Sequence, residues 1–94
     1  MGLGFEWDAN KAAQNLQKHS LSFEEASTVF ADSLSLTIPV PLHSESEDRF
    51  VITGLSNRHR HLVVAFTERD NVIRIISARA ATPRERKKYE EGTG

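Results

Sequence analysis

His59 and His61 stand two residues apart in Arg58-His59-Arg60-His61, so that in an extended segment both imidazoles project from one face and could chelate a metal. No third ligand lies nearby in the sequence, and the flanking arginines would repel a cation. The segment reads better as a basic turn that touches phosphate. Arg74 and Arg79 lie five apart in an otherwise apolar stretch, and strict alternation along a strand places them on opposite faces. A guanidinium among apolar neighbours must find a carboxylate, a carbonyl or a ligand. Two readings stand for each: a structural ion pair with Glu68 or Glu85, or an anion-binding position at a strand end. Arg84, Arg86, Lys87 and Lys88 crowd the C-terminal segment and, with the Arg58 to His61 turn, make a basic surface. His19 follows Lys18 where a helix should end, a place that suits cations because the helix dipole is negative there. Tyr89 offers either a packed ring or a phenol, and Trp7 in Phe5-Glu6-Trp7 reads as core. With no cysteine in the chain, disulfides, thiolate nucleophiles and cysteine-bound metals drop out. No Walker loop, dinucleotide fingerprint or nucleophile elbow is present. Neither a metal nor a cofactor is expected; what remains is acid, base and cation chemistry at a surface.

Length limits how those groups can be held. Ninety-four residues of 10.6 kDa suffice for one domain, residues 1–94, and not for two. A domain this small buries only ~60% of the surface its unfolded chain exposes, so an exposed groove is expected rather than an enclosed cavity. Apolar residues make up 38% and charged residues 27%, a thin core but too apolar for a disordered chain. The net charge of -1 hides an asymmetry: residues 1–57 carry three cations against eight acids, residues 58–94 nine against five. Such a split signals a polyanion-binding face on the second half, or pairing between the halves. The longest apolar run, Leu62 to Phe66, is far short of the about 18 residues of a membrane span. The N-terminus lacks a basic start and an apolar h-region, so the protein is expected in the cytoplasm, away from membranes.

The elements that must position these groups can be read in order. Asp8 is a good N-cap for a helix through Lys18, with Ala12, Ala13 and Leu16 as its apolar stripe. Ser22 and Glu25 form a capping box, with Leu21 and Ala26 as a hydrophobic staple, for a second helix ending near Asp32. Leu34 to Ile38 alternates as a strand that Pro39 and Pro41 stop or place at a sheet edge. Leu42 to Asp48 is polar and acidic, a loop. Arg49 to Leu55, Leu62 to Thr67 and Val72 to Ala78 are strands, the middle one apolar on both alternating sets and hence covered on both faces. Ser56 to Arg60 and Glu68 to Asn71 are the turns between them, the second a four-residue hairpin turn. Thr82-Pro83-Arg84-Glu85 opens a terminal helix that Gly92 ends. The order is short β or coil, two helices, strands and a last helix, and the fold class is α+β: a small antiparallel sheet of three to four strands, two N-terminal helices and one C-terminal helix.

Several of these stretches together resemble the BrnT toxins of bacterial type II toxin-antitoxin systems. The matching residues are Phe5-Glu6-Trp7-Asp8, Lys11 with Asn15, Lys18-His19, Phe23-Glu24-Glu25-Ala26, Arg74-Ile75-Ile76-Ser77-Ala78-Arg79, Glu85-Arg86 and Tyr89-Glu90. Family members usually carry glycine after the Lys-His pair, where this chain has Ser20. The resemblance implies a ribonuclease of RelE-like fold, neutralised by a BrnA-type antitoxin through which alone it reaches operator DNA. Cleaving RNA without metal needs a base for the ribose hydroxyl, an acid for the leaving oxygen and cations around the phosphate. His19, Glu68, Arg79 and Tyr89 could fill those roles, with Lys18, Arg58, Arg60, Arg84 and Lys87 binding RNA. A non-catalytic module that binds nucleic acid or a protein through the same basic face is the competing expectation.

Overall fold

Asp8 opens the first helix as expected: its Oδ1 accepts from the backbone N–H of Asn10 at 2.7 Å and of Lys11 at 3.2 Å. In this computed structural model, which describes residues 4–40 and 49–92, the order is β1 (Gly4–Glu6), α1 (Ala9–His19), α2 (Phe23–Thr28), a 3-10 turn (Val29–Ala31), β2 (Leu36–Val40), β3 (Arg49–Leu55), β4 (His61–Arg69), β5 (Val72–Ala80) and α3 (Pro83–Gly92). The loop expected over 42–48 lies outside the described residues. The strands form one sheet in the order β1-β5-β4-β3-β2. All neighbours are antiparallel except β1, which pairs parallel to β5 through Gly4 to Glu6 and Val72 to Arg74. The α+β class holds, but the sheet is mixed and five-stranded rather than antiparallel with three to four. The fifth strand is β1, from the N-terminal stretch that the sequence leaves as short β or coil. Pro39 sits within β2, at the sheet edge.

α1 ends on Ser20 in the left-handed conformation (φ 58°, ψ 33°), its N–H donating to Leu16 O at 2.9 Å. BrnT-like chains usually place glycine here, the residue that takes this conformation without strain. Of the apolar stripe expected on α1, only Ala12 packs against the core. Ala12 is half-buried, Ala13 and Leu16 are exposed, and the core-facing position is held by Asn15, 7% exposed. Its Nδ2 donates to Leu21 O at 3.0 Å and its Oδ1 accepts from Ala78 N–H at 3.1 Å. An amide is used there because β5 has an unpaired edge beside α1 and a buried peptide N–H must be satisfied.

Ser22 caps α2 by accepting from Glu25 N–H at 3.0 Å, but the return half of that capping box is not made. The Glu25 carboxylate, 6% exposed, turns instead to Ser56 Oγ at 2.7 Å and to the Arg60 guanidinium, with Nε at 2.9 Å and Nη2 on the other oxygen. A buried carboxylate gains more from a bidentate cation than from one peptide N–H. α1, α2 and the 3-10 turn cover one face of the sheet, where Phe23, Val29, Leu62, Val64 and Ile75 are nearly or wholly inaccessible. Trp7 joins this core edge-on to Phe23. Gly54 allows the close approach, since a Cβ there would lie 2.8 Å from Val29 Cγ1.

The β4–β5 hairpin carries two departures from simple alternation. Its turn is two residues, Asp70-Asn71, both with positive φ (54° and 67°), rather than four. Further along, Phe66 pairs with Ile75 but Ala65 pairs with Ser77, leaving Ile76 as a bulge. The extra residue moves the core-facing set of β5 from Ile73 and Ile75 to Ala78. Arg74 pairs with Thr67 and Arg79 with Val63, four residues apart on β4, so the two arginines share a face. The expectation of opposite faces is corrected by that one bulge.

Candidate nucleic-acid interface

The face turned away from α1 and α2 is built from cross-strand rows. Arg49, Thr67, Arg74 and Glu6 form one row across β3, β4, β5 and β1, and Leu36, Thr53, Val63 and Arg79 form another across β2 to β5. Three arginines therefore lie on one sheet face, where α3 covers the end that bears Leu36, His61 and Val63 and the row of Arg49, Arg74 and Glu6 lies beyond it. Arg74 Nη1 meets Glu6 Oε2 at 3.1 Å, both side chains about half exposed. Arg79 is held more firmly: Nη1 and Nη2 donate to Glu85 Oε1 and Oε2 at 2.8 Å each, and Nη1 reaches Ala80 O at 3.3 Å.

Glu85 does double duty. Its Oε1 accepts from Thr82 N–H at 2.9 Å while Glu85 N–H donates to Thr82 Oγ1 at 3.2 Å, a complete capping box that starts α3. Arg79, and then the Thr82 backbone N–H, hold the Glu85 carboxyl down from the usual 4.5 to about 2 against the opposing effect of burial. Because the folded value lies below the unfolded one, the pair stabilises the protein fully above about pH 4.5, and that contribution is lost as pH falls toward 2. α3 is expected to loosen over that window. Far-UV circular dichroism should show the acid step in the wild type and lack it in Glu85→Gln; the same step in both would assign it to another carboxylate.

Tyr89 is 7% exposed and donates its hydroxyl to Asp32 Oδ2 at 2.7 Å. Burial first, and Asp32 second, push the phenol up to about 12. Asp32 also accepts from Leu55 N–H (2.8 Å) and Leu34 N–H (3.0 Å). Burial works to raise its carboxyl, but these hydrogen bonds outweigh it and hold it below its ordinary value. Tyr89 thus fastens α3 to the body, with His61 packed edge-on to its ring at 5.2 Å. Asp32 entered the sequence reading only as the residue that ends a helix; nothing in its spacing pointed to Tyr89, 57 residues away.

The four candidates for catalysis are not brought into one cluster. Glu68 pairs with Ile73 in register, which puts it on the opposite face from Arg79, and neither Arg74 nor Arg79 uses it as a partner. His19 and Lys18 line a groove between α1 and β5 together with Lys11, Gln14, Asn15, Ile76 and Ser77. Arg60 is engaged by Glu25. Arg58 borders a separate hollow with Ser22, Glu24, Glu25 and Asn57. Arg84 and Lys87 are exposed on α3. His59 lies in the β3–β4 turn with φ 63°, and no group of three or more His, Cys, Asp or Glu that could hold a metal occurs among the described residues.

Residues 7–85 match the family model of the ribonuclease toxin BrnT of type II toxin-antitoxin systems. The chain belongs to the BrnT family. It is a BrnT-type ribonuclease toxin of a type II system, a class that implies an antitoxin partner and an RNA substrate. Its fold is similar to that of the Brucella abortus ribonuclease toxin BrnT, solved at 1.1 Å resolution, with a TM-score of 0.67 and 22% identity over 85% of this chain and 97% of the other. No curated protein matches the sequence. The BrnT match takes in Arg74, Arg79 and Glu85 and stops short of Tyr89. Among the described residues no helix is long and apolar enough to cross a membrane.

Proposed function

We propose that this BrnT-family chain is a metal-independent endoribonuclease that cuts RNA on the sheet face that carries the arginines, beside α3, with Arg79 at the scissile phosphate. The observation that carries this reading is the placement of Arg49, Arg74 and Arg79 on one face, with Arg79 fixed by Glu85 at its end. The bidentate pair uses one donor on each terminal nitrogen, so Nε–H and a second Nη2 hydrogen remain for a phosphate oxygen. A guanidinium held in place before the reaction stabilises the charge that develops on phosphorus without reorganising. His19 is the base for the ribose 2′-hydroxyl. That oxygen attacks phosphorus, the P–O5′ bond breaks, O5′ takes a proton from water, and the products are a 2′,3′-cyclic phosphate and a 5′-hydroxyl. Tyr89 acts by holding α3, and through Glu85 Arg79, in place, while Lys18, Arg58, Arg84 and Lys87 draw in the polyanion. Glu68, on the opposite face, is the candidate for the acid only if the RNA wraps the β4–β5 hairpin.

In the cytoplasm such cleavage would stop translation and growth. A BrnA-type antitoxin would silence the toxin by covering its cationic face with acidic or apolar side chains, operator DNA being reached only through that antitoxin. Purified protein is expected to cleave RNA at an undiminished rate in excess EDTA and to leave cyclic phosphate ends. Activity that vanishes on chelation and returns with a divalent metal, or products carrying a 5′-phosphate, would overturn the mechanism. RNA that is bound but never cut would leave a binding module instead.

A further inference from the structure

We infer that the groove between the end of α1 and the outer edge of β5 is a second phosphate subsite, which makes single-stranded RNA the substrate class; the inference rests on the ribonuclease reading above. The groove exists because β1 covers β5 only from Val72 to Arg74. Beyond that point α1 stands alongside the strand, and a hollow of about 240 Å³ opens between them. Lys11, Lys18 and His19 line it with the Gln14 amide and the Ser77 hydroxyl, and no carboxylate is among the lining groups. Two other hollows among the described residues do contain carboxylates. The one at the β4–β5 hairpin sets Arg69 and Arg74 against Glu6 and Asp70, and the one beside Arg58 holds Glu24 and Glu25. The C-terminal end of α1 adds about half a negative charge, which the two lysines alone exceed.

The chemistry fits a phosphodiester: strong cationic donors, a neutral amide and a hydroxyl. The spacing fits a chain of them. Ser77 and Arg79 are two residues apart on β5, about 6.7 Å along the strand, close to one nucleotide step of an extended single strand. RNA that puts its scissile phosphate on Arg79 would therefore bring its neighbouring phosphate to Ser77, at the mouth of the groove that Lys11, Lys18 and His19 line. A hollow of about 240 Å³ has room for the backbone of one strand and not for a duplex.

The test uses a short single-stranded RNA with 2′-O-methyl riboses, which binds but offers no hydroxyl for attack, and a duplex of the same sequence. By fluorescence anisotropy the wild type should favour the single strand. The double variant Lys11→Gln/Lys18→Gln, changed at two exposed positions, should lose about tenfold in affinity for it, and its dependence of log K on log salt should flatten by about 0.7, the value for one phosphate. Equal binding of duplex and single strand, or an unchanged affinity and salt slope in a folded double variant, would overturn the subsite. The cleavage assay on unmodified RNA is read separately. If the subsite behaves as expected and unmodified RNA survives intact, the ribonuclease reading fails and the subsite stands.

Discussion

Replacing Arg79 by alanine is expected to slow RNA cleavage by about 10²–10³-fold, the usual consequence of removing one preorganised transition-state donor, while the protein remains folded. Arg79 is 44% exposed at the side chain and its partner Glu85 33%, so the ion pair itself is solvent-screened and its loss should cost little stability. The complication is that the guanidinium could matter only because it anchors α3 through Glu85. Glu85→Gln separates the two roles, since the amide keeps an oxygen for Thr82 N–H but gives up the charged pair. If Arg79 meets the phosphate, Glu85→Gln, which loosens the guanidinium but keeps it, loses clearly less rate than Arg79→Ala. Equal losses in the two variants, or an unfolded Arg79→Ala protein, would assign the arginine to structure alone.

The largest stability effect is expected at a residue with no part in the chemistry. Asn15→Leu keeps the number and branching of the side-chain heavy atoms but leaves Ala78 N–H and Leu21 C=O without the partners they have now. Each orphaned buried group costs about 1–3 kcal/mol, so the variant should lose about 3 kcal/mol, a large part of the 5–15 kcal/mol typical of a whole domain. In urea the midpoint should move down by about 2 M with an unchanged slope. A shift of only a few tenths molar would mean that water replaces the amide and that the edge of β5 is wetter than its burial indicates.

Much of the framework was legible because local rules decide it. β3 runs from Arg49 to Leu55 as its β-branched composition implied, α3 starts at Pro83 behind a complete Thr82–Glu85 box, and Asp8 and Ser22 cap their helices. The misreadings share a physical origin, which is that a tertiary partner overrode the local pattern. Glu25 abandoned its capping box for Arg60, 35 residues on, and Asn15 took a core position that Leu16 seemed to claim. The site was the least legible part. Counting by twos sends Arg74 and Arg79 apart, and no sequence rule announces that Ile76 bulges out of the ladder. Glu68 and Glu85 were equal candidates for pairing with Arg79 until the register put one behind the sheet and the other in front.

The amide of Asn15 also decides how other proteins can meet this one. Strand addition, in which a foreign segment extends a sheet by hydrogen-bonding to its rim, needs free peptide groups. Three residues of β1 and the Asn15 side chain already occupy part of the β5 rim, and α1 stands in front of the rest. Among the described residues the other rim is β2, where Pro39 has no N–H to offer. Strand addition is left only the outer side of the three-residue β1 and a β2 rim interrupted at Pro39, so an inhibitor that silences the arginine face gains more from side chains laid across it than from joining the ladder.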